Sequence, residues 1–254
     1  MTKNNKWLAI CILPSLALLA GCGKKESVEE QPAATPAAPT ATIDPATAAT
    51  ISGTVKYDGP ATKGAKIDMS QDPNCAGSNT AENVVVADGN LANVFVYVKE
   101  GLGNRTFPVP TEAVTLTQVG CKYNPHVLGV MAGQTIKIVN GDPTTHNIHP
   151  TPKDNREWNE SQAPQAPALE KSFAREELLL PVKCNQHPWM RMFINVVKNP
   201  FYAVTGPDGK YQIAGLPPGD YTIVFVQEKL GEKEEKVTLA AKDSKTLDAS
   251  FKAQ

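Results

Sequence analysis

The stretch "LLLPVKCNQHPWMRMFINVV", residues 178–197, sets a cysteine, a histidine and two methionines on one short turn between two apolar runs. Apolar runs of this length, broken by Asn and Pro, read as two buried strands joined by a loop. The loop gathers soft ligand atoms at Cys184, His187, Met190 and Met192. Whether they form a metal site, half of a disulfide or plain packing is decided by the rest of the chain.

The N-terminus indicates the compartment. Lys3 and Lys6 precede an apolar run from Leu8 to Ala20, the layout of a signal peptide over residues 1–21 and too short to span a bilayer comfortably. Leu19-Ala20-Gly21-Cys22 resembles the lipobox of bacterial lipoproteins, which implies acylation of Cys22. One acyl chain anchors only marginally; that family carries several. The expectation is a lasting tether at the bacterial cell envelope, facing the periplasm or the exterior. Residues 22–49 are rich in Ala, Pro, Thr and Glu, and read as a disordered spacer unable to bury enough surface to offset chain entropy.

Without its first 21 residues the chain carries 23 basic against 26 acidic residues, a net charge of −3. Neither a basic stripe nor a phosphate-loop motif points to nucleic acid or nucleotide. Of five cysteines, Cys11 leaves with the signal and Cys22 is lipidated. The remaining three are odd in number in an oxidising compartment. Cys184 has His and Met beside it, so Cys75 and Cys121 are expected to form a disulfide.

The folded part reads as all-β. "ISGTVKY", "NVFVYVK", "AVTLTQV" and "TIKIVN" are β runs, and the end of the chain is strand, Asp-Gly turn, strand, Pro-Pro-Gly turn, strand. A helical turn is expected only around "PALEKSFAREE", and "EKLGEKEEK" (228–236) is expected to be a solvated hairpin tip.

Two regions resemble known families. "TGPDGKYQIAGLPPGDYTIVFV" is similar to the carboxypeptidase regulatory-like (transthyretin-like) module, whose opening strand is matched only by the distant "SGTVKYDGP". The resemblance implies a scaffold split around an insertion, with first strands in 50–115 and last strands in 199–254. One continuous irregular sandwich is the alternative.

The insertion, 116–198, resembles the cupredoxin (blue-copper) family. Tyr123 and Pro125, the turn from Val130 to Gly133, "TIKIVN" ending at Asn140, then His146, Cys184, His187 and Met190 each match an element of that pattern. The Cys-x-x-His-Pro-aromatic-Met-Arg string is closest to amicyanin-type members. The resemblance implies a Greek-key β-sandwich holding one mononuclear type 1 copper. Its ligands would be His146, Cys184, His187 and Met190. A thiolate and two imidazoles with a long thioether bond are the ligand set of blue-copper electron-transfer sites. His149 competes with His146, and Met192, at the longer plastocyanin spacing, with Met190. Asn147 is expected to brace the cysteine loop, and His126 to be structural. Trp189 either shields the metal or joins His187 and Pro188 in a docking patch. The loop 151–173 is longer than a small cupredoxin needs and has no assigned role.

The function expected is a monomeric, membrane-anchored carrier of single electrons between redox partners of the envelope, not an enzyme. Copper handling without electron transfer is the main alternative, and a structural envelope lipoprotein the second.

Overall fold

The computed structural model describes residues 40–60, 64–75, 77 and 79–253. The signal segment, Cys22 and the spacer as far as residue 39 lie outside the described residues. The described residues belong to one compact unit, Ala38–Gln254.

Strands from the two ends of the chain share one sheet. Ala49–Asp58 pairs antiparallel with Lys210–Leu216, setting Ile51 opposite Ile213, and parallel with Ala249–Lys252, setting Val55 opposite Ala249. A facing sheet orders Tyr202–Val204, Phe95–Glu100, Gly219–Gln227 and Gly231–Leu239. Between them Ile51, Val55, Leu91, Val96, Ile213, Ile223, Phe225 and Phe251 make one core.

The middle of the chain builds a second sandwich. Ile136–Asn140 runs parallel to Val114–Gln118 and antiparallel to Leu169–Lys171. The other sheet orders Glu160–Gln162, His146–Pro150, Glu177–Lys183, Arg191–Val197 and Val127–Met131. Alternation sets the faces: Ile136 and Ile138 point inward while Lys137 is exposed, and Leu180 and Val182 point inward while Pro181 and Lys183 are exposed. Leu180, Val182, Met192 and Ile194 are each at most 1 % exposed, and burying such a side chain contributes about 1.5–3 kcal/mol. The chain is thus an all-β protein of stacked sheets, with the opening stretch supplying two antiparallel neighbours in this second sandwich.

Four local expectations are corrected. The spacer does not run free to residue 49: Ala41 donates its N–H to Thr106 O (2.7 Å) and Ile43 packs against the outer core. The Ala41 and Ile43 side chains and the backbone pairing at Thr106 together dock this end of a polar, proline-rich segment. Residues 66–80 do not stay with the outer sandwich, because Met69 and Cys75 are buried in the inner core. The helical turn at 167–177 is instead the strand Leu169–Lys171 and its flanks, since pairing with Ile136–Ile138 satisfies its backbone. The 228–236 hairpin is not wholly solvated: Glu228 is held against His126, Oε1 to Nε2 2.7 Å, with both side chains under 10 % exposed.

Candidate metal centre

His146 opens the strand His146–Pro150, and a tight loop delivers it. Asn140 accepts the Asp142 N–H on Oδ1 (3.0 Å) and donates Nδ2–H to Thr144 O (2.8 Å), folding residues 141–145 back on the strand end. Cys184 follows the strand Glu177–Lys183. Its turn closes through two backbone bonds, Met190 N–H to His187 O (2.9 Å) and Cys184 N–H to Met190 O (3.2 Å). The strands on either side, paired at Lys183 and Arg191, hold the mouth of that turn.

These elements bring together His146, Cys184 and His187, which are 0, 2 and 4 % exposed. His146 Nδ1 lies 2.9 Å from His187 Nδ1, and Cys184 Sγ lies 3.7 Å from the same His187 Nδ1. All three ligand atoms fall within 4.8 Å of one another. Bonds of about 2.3 Å to sulfur and 2.05 Å to nitrogen, opened to about 120°, place sulfur and nitrogen about 3.8 Å apart, close to the 3.7 Å between Cys184 Sγ and His187 Nδ1. The two Nδ1 atoms, at 2.9 Å, stand closer than the same angle gives.

The outer edges of the rings decide the protonation. His146 Nε2 faces Asp142 Oδ2 at 2.8 Å and His187 Nε2 faces Asp72 Oδ2 at 3.0 Å. An ionised carboxylate only accepts, so each ring carries its hydrogen on Nε2 and turns an Nδ1 lone pair into the cluster. Two facing lone pairs at 2.9 Å repel unless a proton or a metal cation stands between them. The donor set of two imidazoles and a thiol therefore fits a thiophilic metal ion.

Burial lowers the His146 pKa, against the pull of Asp142, and so favours the neutral ligand form. Asp72 is held down to about 2, first by the Thr144 hydroxyl, then by the Asn74 N–H, with a smaller part from His187, and stays ionised. Tyr123 donates its hydroxyl to Asn147 O (2.6 Å), and burial together with the nearby Cys184 raises its pKa well above the ordinary range.

Asn147 braces the cysteine loop. Its Oδ1 accepts the Asn185 N–H (2.6 Å) and the Cys184 thiol (3.2 Å), while Nδ2 donates to Asn159 Oδ1 (2.6 Å). Asn159 belongs to the loop 151–173, which is built into both sheets. Its Gln162 takes Nε2–H to Ile138 O and Pro167 O, and Trp158 stacks on Phe173. The loop thus supports Asn147, and through it Cys184.

His149 stands apart, with its ring nitrogens taken by Asn185 Oδ1 (3.1 Å) and Glu157 Oε1 (2.6 Å). Met192 lies in a strand opposite Val182 as part of the core, whereas Met190 closes the ligand turn; both are fully buried. Cys75 and Cys121 form the expected disulfide. Two further clusters, Asp72 with Cys75 and His187, and Cys121 with Asp142 and His146, contain a disulfide sulfur in place of a thiolate.

The docking patch differs from expectation. His187 is buried, Trp189 is partly buried, and Pro188 alone of the three is exposed. Trp189 donates Nε1–H to Cys121 O (3.1 Å), and its ring centroid lies 5.0 Å from that of His187. The disulfide segment has folded over the imidazole edge that the sequence reading left at the surface. Sequence reasoning missed Asp142 and Asp72. Asp142, four residues before His146, was within reach of a local reading; Asp72 carried no signal.

No family model matches the chain, and no curated protein does. Solved structures do. One is a copper-containing nitrite reductase from Thermus scotoductus SA-01, at 16% identity and TM-score 0.33, with 56% of this chain and 28% of that chain covered. A purple cupredoxin from Nitrosopumilus maritimus matches at 20% identity and TM-score 0.29, over 33% of this chain and 98% of that one. A reduced Cu(I) form of an amicyanin variant matches at 23% identity and TM-score 0.30, over 35% and 85%. Likenesses at these scores carry no argument of their own; fold and site stand on the pairing and distances above. The expectation that the chain is not an enzyme is withdrawn: a filled ligand set at one site says nothing of catalysis elsewhere on a chain, and a copper-containing nitrite reductase is among the matches.

Proposed function

We propose that the protein is a membrane-anchored type 1 copper protein that carries single electrons between redox partners at the bacterial cell envelope. The observation that carries this reading is the convergence of His146 Nδ1, His187 Nδ1 and Cys184 Sγ, with both imidazole Nε2 atoms taken by carboxylates. His146, Cys184 and His187 would hold the ion, with the Met190 thioether, on the same turn, as the candidate fourth donor. Copper supplies a one-electron couple there. Cys184 offers soft sulfur for the reduced state, the imidazoles serve both states, and Asn147 keeps the cysteine loop from moving between them.

The covering of His187 favours electron transfer over copper delivery. Electrons tunnel through a layer such as the Trp189 ring and the disulfide, whereas handing over an ion requires incoming ligands to reach it. The outer sandwich, closed by strands from both ends of the chain, is read as a carboxypeptidase regulatory-like scaffold nested around the copper unit. Cys22 would tether the whole through its acyl chains, and the chain would act as a monomer.

The test is to titrate the protein with Cu(II) and then cycle it with a one-electron reductant and oxidant. An intense visible thiolate-to-copper band that bleaches and returns supports the reading. Stable Cu(I) binding without that band favours copper handling, and no uptake refutes both.

A further inference from the structure

Both imidazole edges that face away from the ligand cluster are taken by carboxylates, and the two carboxylates are tied to one another. Asp142 accepts the N–H groups of Gly120 (2.7 Å) and Cys121 (2.8 Å) besides the His146 Nε2–H. Asp72 accepts the Asn74 N–H on Oδ1 (2.8 Å), and on Oδ2 the Thr144 hydroxyl (2.7 Å) and the His187 Nε2–H (3.0 Å). The disulfide joins these two groups: Asp72 lies three residues before Cys75, and Cys121 itself holds Asp142. Cys75 Sγ sits 3.9 Å from His187 Nε2.

We propose that Asp72 is a positioning residue for His187, delivered from outside the inner sandwich by the segment that Cys75–Cys121 staples in place. Its carboxylate keeps the hydrogen on Nε2, so the Nδ1 lone pair points at Cys184 and His146. Without that acceptor the buried ring would take the other tautomer and donate Nδ1–H to His146 Nδ1, closing the ligand cluster with a hydrogen bond. Thr144 stands two residues before His146, so one oxygen of Asp72 holds both ligand loops in register. A carboxylate on an imidazole also makes the ring a stronger donor, which favours Cu(II). The proposal rests on the copper reading of this cluster, but its first readout does not.

The test uses the full chain with Asp72→Ala and Asp72→Asn, and exposed Glu170→Ala as a control. In metal-free, isotope-labelled protein, nitrogen chemical shifts should show His187 fixed as the Nε2–H tautomer. Asp72→Ala should populate the other tautomer and speed exchange of that hydrogen at least about 10-fold. Asp72→Asn, which keeps an acceptor oxygen, should retain the tautomer and serves if the alanine variant fails to fold. In the copper-loaded protein, loss of the ion to a chelator should quicken about 10- to 100-fold in Asp72→Ala, with no change in the control. Asp72→Asn should shift the reduction potential upward. An unchanged tautomer in Asp72→Ala, or for Asn an unchanged potential, overturns the proposal. If the wild-type chain takes up no copper, the copper reading fails while the tautomer measurement still decides the role of Asp72.

Discussion

His146 Nδ1 and His187 Nδ1 face each other at 2.9 Å, although 41 residues separate them in the chain. Each ring has its other nitrogen committed to an aspartate, so neither can turn away. A fold that ends two strands at one edge and then locks both rings from behind holds the two Nδ1 atoms where the proposed function would have them bind an ion. That preorganisation is what an electron carrier needs, since little rearrangement then accompanies the change of oxidation state.

Cys184→Ser should abolish the thiolate-to-copper band and weaken copper binding by more than about 100-fold, because the alcohol stays protonated and hard where a soft anion is needed. Visible absorption and competition with a chelator measure both. A variant that stays blue would remove Cys184 from the site.

Replacing Cys75 and Cys121 together by serine should cost about 4 kcal/mol in denaturant unfolding. The staple closes a separation of 46 residues, and the chain-entropy model gives about that figure for such a loop. The same variant should expose the Trp189 indole, whose N–H is bonded to Cys121 O, visible as a red shift of its fluorescence.

Glu177 should make the loop 151–173 acid-sensitive. Its carboxylate accepts the Lys153 N–H (2.6 Å), the Asp154 N–H (3.2 Å) and the Asn155 Nδ2–H (3.0 Å). Burial alone pushes its pKa up, but these bonds outweigh it and the net pKa lies below the ordinary 4.5. A folded-state pKa below the unfolded one stabilises fully above about 4.5, and the contribution is lost as pH falls through the folded value. The protection factors of the Lys153 and Asp154 amides, corrected for the intrinsic exchange rate at each pH, should therefore fall on acidification below that point. Glu177→Ala should bring the same fall at neutral pH, with a stability loss of about 1–3 kcal/mol.

His126→Ala should destabilise the chain by about 3 kcal/mol, since it strands the buried Glu228 carboxylate. The double replacement His126→Phe with Glu228→Leu should recover most of that loss, because it removes the pair rather than half of it. Unfolding in denaturant separates the two outcomes, and equal losses would show that the pair is not coupled.

Much of the site was legible before any coordinates. A cysteine, a histidine and two methionines on one turn, two histidines after "TIKIVN", and two cysteines left to pair are local facts. The alternation of Ile136, Lys137 and Ile138 likewise fixes which side of a strand is buried, because a period of two is written in the residues themselves. By itself the sequence therefore determined the all-β class, the pairing of Cys184 with His187 on one turn, and the disulfide, while the choice of His146 over His149 was settled by the fold.

The tertiary structure alone decided what surrounds that cluster. Asp72 stands 115 residues from His187, and Trp189 meets Cys121 across 68. Those meetings depend on how two sandwiches stack and where a stapled segment lands, which no window of sequence encodes. The burial of His187 follows from the same cause. Local pattern gives each side chain its chemistry and its face, but the identity of its neighbours is a property of the packed whole.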